Sequence, residues 1–195
     1  MRGMLKWISI LILVLIIAAA VYPFAIGDME ALALDDAARA AMPGKTFVRL
    51  SDGMTHYEWA GPESGQPVVL IHGMTSPCFI WDYQFNALAE AGFHVLRYDL
   101  FGRGLSDRPR VKYTADLFDR QLCELLDAQG VKQPVDLAGL SMGGAIIVHF
   151  IDRHPERVRR FALFAPSGFP LHVPLKYRVI QWPLIGDWLM KAMGD

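Results

Sequence analysis

One segment indicates the fold more specifically than any other part of the sequence: Val135-Asp136-Leu137-Ala138-Gly139-Leu140-Ser141-Met142-Gly143-Gly144. Its first half is a short, mostly apolar run that predicts a buried parallel strand. The stretch then passes through Gly-x-Ser-x-Gly into residues 145–151, which predict a helix. Between a strand and a helix, this pattern is typical of a nucleophile elbow, a tight turn that exposes its serine.

Such a turn leaves no room for bulk two positions before and after the serine, and Gly139 and Gly143 meet that requirement. The hydroxyl of Ser141 then stands clear of the sheet, beside unpaired N–H groups at the start of the next helix. An ordinary glycine-rich turn would show the same five residues, so the remainder of the chain has to distinguish the two interpretations.

Composition limits the classes of function. The chain has 195 residues, 53% of them hydrophobic, which suffices for one domain with a sizeable core. Its formal net charge of −1 at pH 7 argues against a nucleic-acid partner. Cys78 and Cys123 lack metal-ligand spacing and predict free thiols, with one disulfide as the alternative outside the cytoplasm. We predict no metal and no cofactor.

An uncharged run from Trp7 to Ile26 follows Arg2 and Lys6. As a helix it would span about 30 Å, the thickness of a bilayer core. We predict a single-pass anchor, with the domain on the extracytoplasmic side because basic residues precede the run and acids follow it. The alternative is a secretory signal cleaved near Ala18–Ala20, which would leave a periplasmic or secreted protein.

The chain is predicted to comprise a membrane segment, a linker, a core and the start of a cap or lid, at residues 1–26, 27–45, 46–169 and 170–195. In the core, a predicted hairpin precedes alternating strands and helices, which indicates a doubly wound, mostly parallel α/β sheet. The last segment is dense in apolar residues, and a core helix or an interfacial segment are its alternatives.

Three motifs at predicted strand ends resemble those of the α/β-hydrolase superfamily. They are His72-Gly73-Met74, Asp99-x-x-Gly102-x-Gly104-x-Ser106 and Gly139-Leu140-Ser141-Met142-Gly143-Gly144. The resemblance extends from residue 46 to about residue 169 and implies the α/β-hydrolase fold of esterase- and lipase-like serine hydrolases.

The resemblance implies that Ser141 is the nucleophile and forms an acyl-enzyme. The backbone N–H groups of Met74 and Met142 would form the oxyanion hole. Supporting positions would be Gly139, Gly143, His72 and Gly73. Related dehalogenases and epoxide hydrolases carry aspartate in place of the serine, which argues against those two chemistries.

In this superfamily the nucleophile is followed first by an acid and then by a histidine base. After Ser141 the sequence shows one clear strand, and His172 falls where a cap would begin, so we do not assign it as the base. We therefore expect the N-terminal part of a longer enzyme, truncated before the last two strands and inactive alone. A non-catalytic fragment or pseudoenzyme that serves as a binding module is the alternative.

The resulting hypothesis is a membrane-anchored serine hydrolase of carboxylic esters, with lipid or monoacylglycerol-like substrates. A lactone or carbon–carbon bond hydrolase of the same fold is a second hypothesis. Neither the acyl length nor the oligomeric state follows from the sequence.

Overall fold

The computed structural model describes residues 2–25 and 34–168, together with residues 178, 179, 182, 185, 186, 188 and 189. The chain forms two compact units, one containing the N-terminal helix and the other running from Leu34 to Phe169. His172 and most of the predicted cap at 170–195 lie outside the described residues.

In the first unit, helix α1 runs from Arg2 to Ala25. Its segment Gly3–Tyr22 has a mean hydropathy of 2.7 and no buried residue. The helix is therefore long and apolar enough to cross a membrane, a criterion that signal sequences also meet. Within the same unit, the indole N–H of Trp188 donates to the carbonyl of Ala19 at 3.1 Å.

The second unit is built on one six-stranded sheet with the order β1-β2-β4-β3-β5-β6. The strands are β1 Thr46–Leu50, β2 Gly53–Ala60, β3 Pro67–Ile71, β4 His94–Tyr98, β5 Val135–Leu140 and β6 Val158–Phe164. Strand β2 pairs antiparallel with β1 and β4, and all other pairs are parallel. This arrangement confirms the predicted α/β-hydrolase fold, with a mostly parallel sheet.

The remaining α-helices are α2 Asp36–Ala40, α3 Asp82–Glu90, α4 Ala115–Ala128 and α5 Met142–Arg153, and short 3₁₀ helices span Cys78–Trp81 and Pro155–Arg157. Thr114 caps the N-terminus of α4, because its side chain accepts from the N–H of Leu117. Strand β6 begins at Val158, which pairs with Val135.

Strand β3 shows how the helices cover the sheet. All five of its residues are buried, and the four side chains from Val68 to Ile71 alternate between two apolar clusters. Val69 and Ile71 belong to the large cluster with residues of α4 and α5, whereas Val68 and Leu70 pack with residues of α3. Because successive strand side chains point to opposite faces, α3 lies on one face of the sheet and α4 and α5 on the other.

Helix α2 lies within residues 27–45, the segment predicted to be a linker. Its Arg39 is 8% exposed and forms an ion pair with Asp107. The guanidinium carbon also lies 5.7 Å above the centre of the Phe47 ring. These contacts attach the second half of the predicted linker to the core.

We expect Phe150→Ala to lower the free energy of unfolding by about 3–5 kcal/mol, because it empties the space of a large buried side chain. Phe150 is fully buried on α5, whereas Val148 on the same helix is 55% exposed. Val148→Ala is the matched control and should change stability by less than about 0.5 kcal/mol. Urea unfolding followed by circular dichroism measures both, and equal effects would contradict the assigned core.

Candidate active site

Ser141 lies in the turn between β5 and α5 with φ 51° and ψ −114°. A positive φ is uncommon for a residue with a side chain and costs on the order of 1–3 kcal/mol. Three backbone hydrogen bonds hold this conformation. The Ser141 N–H donates to Phe164 at 2.9 Å, and the Ser141 carbonyl accepts from Gly144 at 3.0 Å and Ser167 at 2.9 Å.

Two glycines permit the turn because backbones meet there at van der Waals distance. A Cβ at Gly143 would lie 2.3 Å from the carbonyl oxygen of Ile71. A Cβ at Gly139 would lie 2.6 Å from the carbonyl group of Gly143. Any side chain at either position would therefore force α5 away from β3 and β5. This steric limit is the reason that the Gly-x-Ser-x-Gly pattern requires glycine at both positions.

The loop after β3 approaches the serine closely. A Cβ at Gly73 would lie 3.3 Å from the Ser141 Cβ and 3.9 Å from its Oγ. Within residues 2–25 and 34–168, no group accepts a hydrogen bond from the backbone N–H of Met74 or Met142. Two unpaired donors on the loops that meet at a serine hydroxyl are an arrangement that can stabilise an oxyanion.

His72 is fully buried and both of its ring nitrogens are occupied. Nε2 accepts from the N–H of Leu100 at 2.9 Å, which leaves the proton on Nδ1, and Nδ1 donates to the Gly73 carbonyl at 2.6 Å. Burial lowers the pKa of His72 below its usual range, against the opposing effects of the Gly73 hydrogen bond and the Asp99 charge. The ring is therefore neutral and joins the loops after β3 and β4.

The carboxylate of Asp99 is buried and accepts three hydrogen bonds. They come from the N–H of Cys78 at 2.8 Å, the N–H of Leu105 at 2.9 Å and Nδ1 of His56 at 2.8 Å. Burial alone would raise the pKa of Asp99, but these hydrogen bonds outweigh it and lower the pKa to about 2. The Asp99 carboxylate therefore has a structural role, because its hydrogen bonds hold the loops after β3 and β4 together.

His56, Cys78 and Asp99 bring possible metal-ligand atoms within 4.8 Å of one another. Their mutual hydrogen bonds already account for this proximity, because His56 donates to the carboxylate that would have to bind an ion. Burial and the charge of Asp99 raise the pKa of the Cys78 thiol, which stays protonated. Cys78 and Cys123 are free thiols, as the sequence predicts.

Gln121 is a supporting residue that the sequence analysis missed. It is 1% exposed on α4, where its side chain accepts from the N–H of Phe101 at 3.0 Å. It also donates to Thr55 and to the carbonyl of Asp99, at 3.0 and 3.1 Å. A glutamine on the apolar face of an amphipathic helix was the available signal, because a buried amide needs partners.

In the part of the chain that the structure describes, no histidine forms a hydrogen bond with the Ser141 hydroxyl. His149 lies 3.1 Å from a carboxylate oxygen of Asp116, and His154 lies 3.4 Å from one of Asp119. The described residues thus bring together Ser141, the two candidate oxyanion donors and the supporting loops.

Residues 66–189 match the protein family described as alpha/beta hydrolase fold. The match covers more than half of the chain. The chain belongs to the α/β-hydrolase fold family.

Among the similar proteins is the bifunctional epoxide hydrolase 2 of Rattus norvegicus, 37% identical over 101 residues, or 51% of this chain and 18% of the relative. A solved carboxylesterase structure from Nitrososphaera gargenis has a TM-score of 0.62 and 27% identity, and the match covers 70% of this chain and 52% of that one. The enol-lactonase from Burkholderia xenovorans has a TM-score of 0.57 and 29% identity, with 60% and 45% covered.

The chain spans only part of the relatives it matches. For three curated relatives, the matched region covers 18%, 40% and 54% of the relative's own length. Much of each relative therefore has no counterpart in the matched region.

We expect the stability of the protein to fall between about pH 4 and about pH 2 partly through Asp99. The pKa of Asp99 in the folded chain is about 2, below its ordinary 3.8, so the unfolded state takes up the proton first. The stabilisation lost on acidification is about 2 kcal/mol.

Urea titrations from about pH 5 to about pH 2 measure this loss, with Asp99→Asn as the comparison. The variant lacks the titrating group, so its stability should depend less steeply on pH in this range. The difference between the two curves separates Asp99 from the other carboxylates, and parallel curves would contradict the assignment.

Proposed function

We propose that this chain carries the nucleophile and the oxyanion loop of a membrane-anchored serine hydrolase that cleaves carboxylic esters. Its proposed substrates are small lipid-like esters of the monoacylglycerol kind. The observation that carries the proposal is the positive-φ turn at Ser141, next to the loop of Met74 and directly before Met142. Membership in the α/β-hydrolase family supports hydrolase activity, and the similarity to a carboxylesterase supports the ester class.

In the proposed reaction, Ser141 Oγ attacks the carbonyl carbon of the ester while its proton passes to a general base. The carbonyl oxygen becomes an oxyanion, which accepts hydrogen bonds from the N–H groups of Met74 and Met142. Collapse of this intermediate reforms the carbonyl and releases the alcohol, which takes up the proton. Water then hydrolyses the acyl-enzyme by the same route. The base and its orienting acid are assigned to residues outside the described part of the chain.

Lactone hydrolysis is the second candidate function, favoured by the structural similarity to an enol-lactonase. A lactone is a cyclic ester, so the same serine and the same two donors would act on it. The similarity to an epoxide hydrolase carries less weight, because the resemblance places aspartate where this chain has Ser141. Turnover of a panel of linear esters, lactones and ring-fission diketones would rank these chemistries.

The membrane part of the proposal rests on helix α1 and its apolar segment Gly3–Tyr22. Arg2 and Lys6 near its start and acidic residues after it support an N-terminus in the cytoplasm and a domain on the opposite side. An anchor would keep the proposed active site close to lipid-derived substrates.

We expect Ser141→Ala to lower kcat for a short-chain p-nitrophenyl ester by about 10³-fold or more, because the nucleophile is removed. The same variant should lose covalent labelling by a fluorophosphonate probe, which requires an activated serine. Both assays use the protein purified from its source membrane.

Ser167→Ala is the matched control, since its backbone N–H to the Ser141 carbonyl is retained. It should keep turnover and labelling. Ester turnover that survives Ser141→Ala would refute the proposed function. Absence of labelling in the wild-type protein would favour the non-catalytic binding module instead.

We expect the protein to remain in the membrane pellet after alkaline carbonate extraction, because high pH breaks ionic contacts with the membrane surface but does not release an apolar helix from the hydrocarbon core. Removal of residues 2–25 should shift it to the supernatant.

Mass spectrometry of the N-terminal peptide distinguishes an anchor from a signal, since a mature chain without α1 would show cleavage. Protease digestion of intact spheroplasts tests the orientation, and a domain that resists digestion would contradict it.

A further inference from the structure

The backbone N–H of Met74, one of the two candidate oxyanion donors, belongs to the peptide group that joins Gly73 to Met74. A peptide group is planar and trans, so the N–H of Met74 and the carbonyl of Gly73 point in opposite directions. The ring of His72 donates to that carbonyl at 2.6 Å. This hydrogen bond fixes the direction of the Met74 N–H, and it polarises the peptide so that the N–H becomes a stronger donor.

The next peptide group is held from another loop. The carbonyl of Met74 accepts from Nε of Arg103, and Nη1 of Arg103 donates to the carbonyl of Gly102 at 2.7 Å. The Met74 side chain is 55% exposed, so packing contributes little to its position. Within residues 34–168, the orientation of Met74 therefore depends on one hydrogen bond on each side.

The backbone of Arg103 is held by hydrogen bonds within its own loop. Its N–H donates to Leu100 at 2.9 Å, and its carbonyl accepts from Ser106 at 3.2 Å. The same loop is fixed by the Asp99 carboxylate through the N–H of Leu105 at 2.9 Å. No carboxylate among the described residues lies within ion-pair distance of the guanidinium, so its donors are directed to backbone carbonyls.

We propose that Arg103 is a positioning residue for the oxyanion hole, where it holds the peptide group that follows Met74 and thereby limits rotation of the Met74 N–H away from the substrate oxygen. This inference rests on the proposed function, because it assigns a role within that reaction. Arg103 does not touch substrate in this proposal. Its contribution is to reduce the number of orientations that the Met74 N–H samples. A misdirected N–H stabilises the oxyanion of the transition state less, which lowers kcat.

The test compares Arg103→Ala with Arg110→Ala in the protein purified from its source membrane. Arg110 is exposed in the segment that follows and serves as the matched control. We expect Arg103→Ala to lower kcat for a p-nitrophenyl ester by about 10- to 100-fold, with KM changed by less than about threefold. Arg110→Ala should leave both values unchanged.

A second measurement separates positioning from general loop support. A trifluoromethyl ketone forms an oxyanion with the serine, whereas the matching methyl ketone binds largely without one. Arg103→Ala should weaken inhibition by the first compound by the same factor as kcat and leave the second almost unaffected. Arg103→Lys keeps the charge and one donor and should recover part of both losses.

Each outcome is informative. Unchanged kcat in a folded Arg103→Ala variant, or equal weakening of both ketones, would overturn the inference while a strict need for Ser141 left the proposed function intact. Turnover that survives Ser141→Ala would refute the proposed function and this inference with it. If Arg103→Ala does not fold, Arg103→Met, which keeps most of the side-chain volume but has no donor, carries the same comparison, and wild-type kcat in that variant would overturn the inference.

Discussion

The geometry of the site depends on one buried carboxylate. Asp99 accepts from the backbone of Cys78 after β3, from the backbone of Leu105 after β4 and from the ring of His56 on β2. An ionised carboxylate is costly to bury, and only this set of donors makes it stable there. The structure therefore places two loops and a strand in one arrangement, since any displacement would leave a charge without partners. A neutral side chain of similar shape could not impose that constraint.

The elbow is fixed by a different force, the close contact of backbones. Gly143 lies against the carbonyl of Ile71, and Ser141 is held between β6 and the first turn of α5. The strain at Ser141 is offset by these hydrogen bonds and by the burial of α5 behind it. Electrostatics thus positions the loop that carries Met74, and sterics positions the serine. The proposed chemistry needs both because nucleophile and donors belong to different loops.

Much of this arrangement was predictable from the sequence, because strand periodicity and the three glycine-containing motifs are local signals. The strands β3 and β5, the cap of α4 and the elbow at Ser141 follow from residues adjacent in the chain. The hydrogen-bond partners of Asp99, His72 and Arg103 do not follow from local sequence. These partners, Cys78, Leu100 and Met74 respectively, come into contact only after the sheet has formed. Gln121 was missed for the same reason, as its partners lie on β2 and in the loop after β4. Sequence motifs identify the loops, but the hydrogen bonds between loops are a property of the fold.

The similarity of this chain to enzymes of different chemistry follows from what the described residues contribute. The backbone supplies the tight turn and the two N–H donors, and neither depends on the side chain that performs the attack. An epoxide hydrolase, a carboxylesterase and an enol-lactonase can therefore resemble the same region. What favours the proposed ester chemistry is the hydroxyl of Ser141 beside donors suited to an oxyanion. A serine is a weak nucleophile until a base removes its proton. In the proposed function, residues 34–168 supply one half of the site, the nucleophile and the oxyanion donors, and the other half, the base, lies outside the described residues. These two halves can be tested separately, because backbone donors bind an oxyanion whatever group takes the proton.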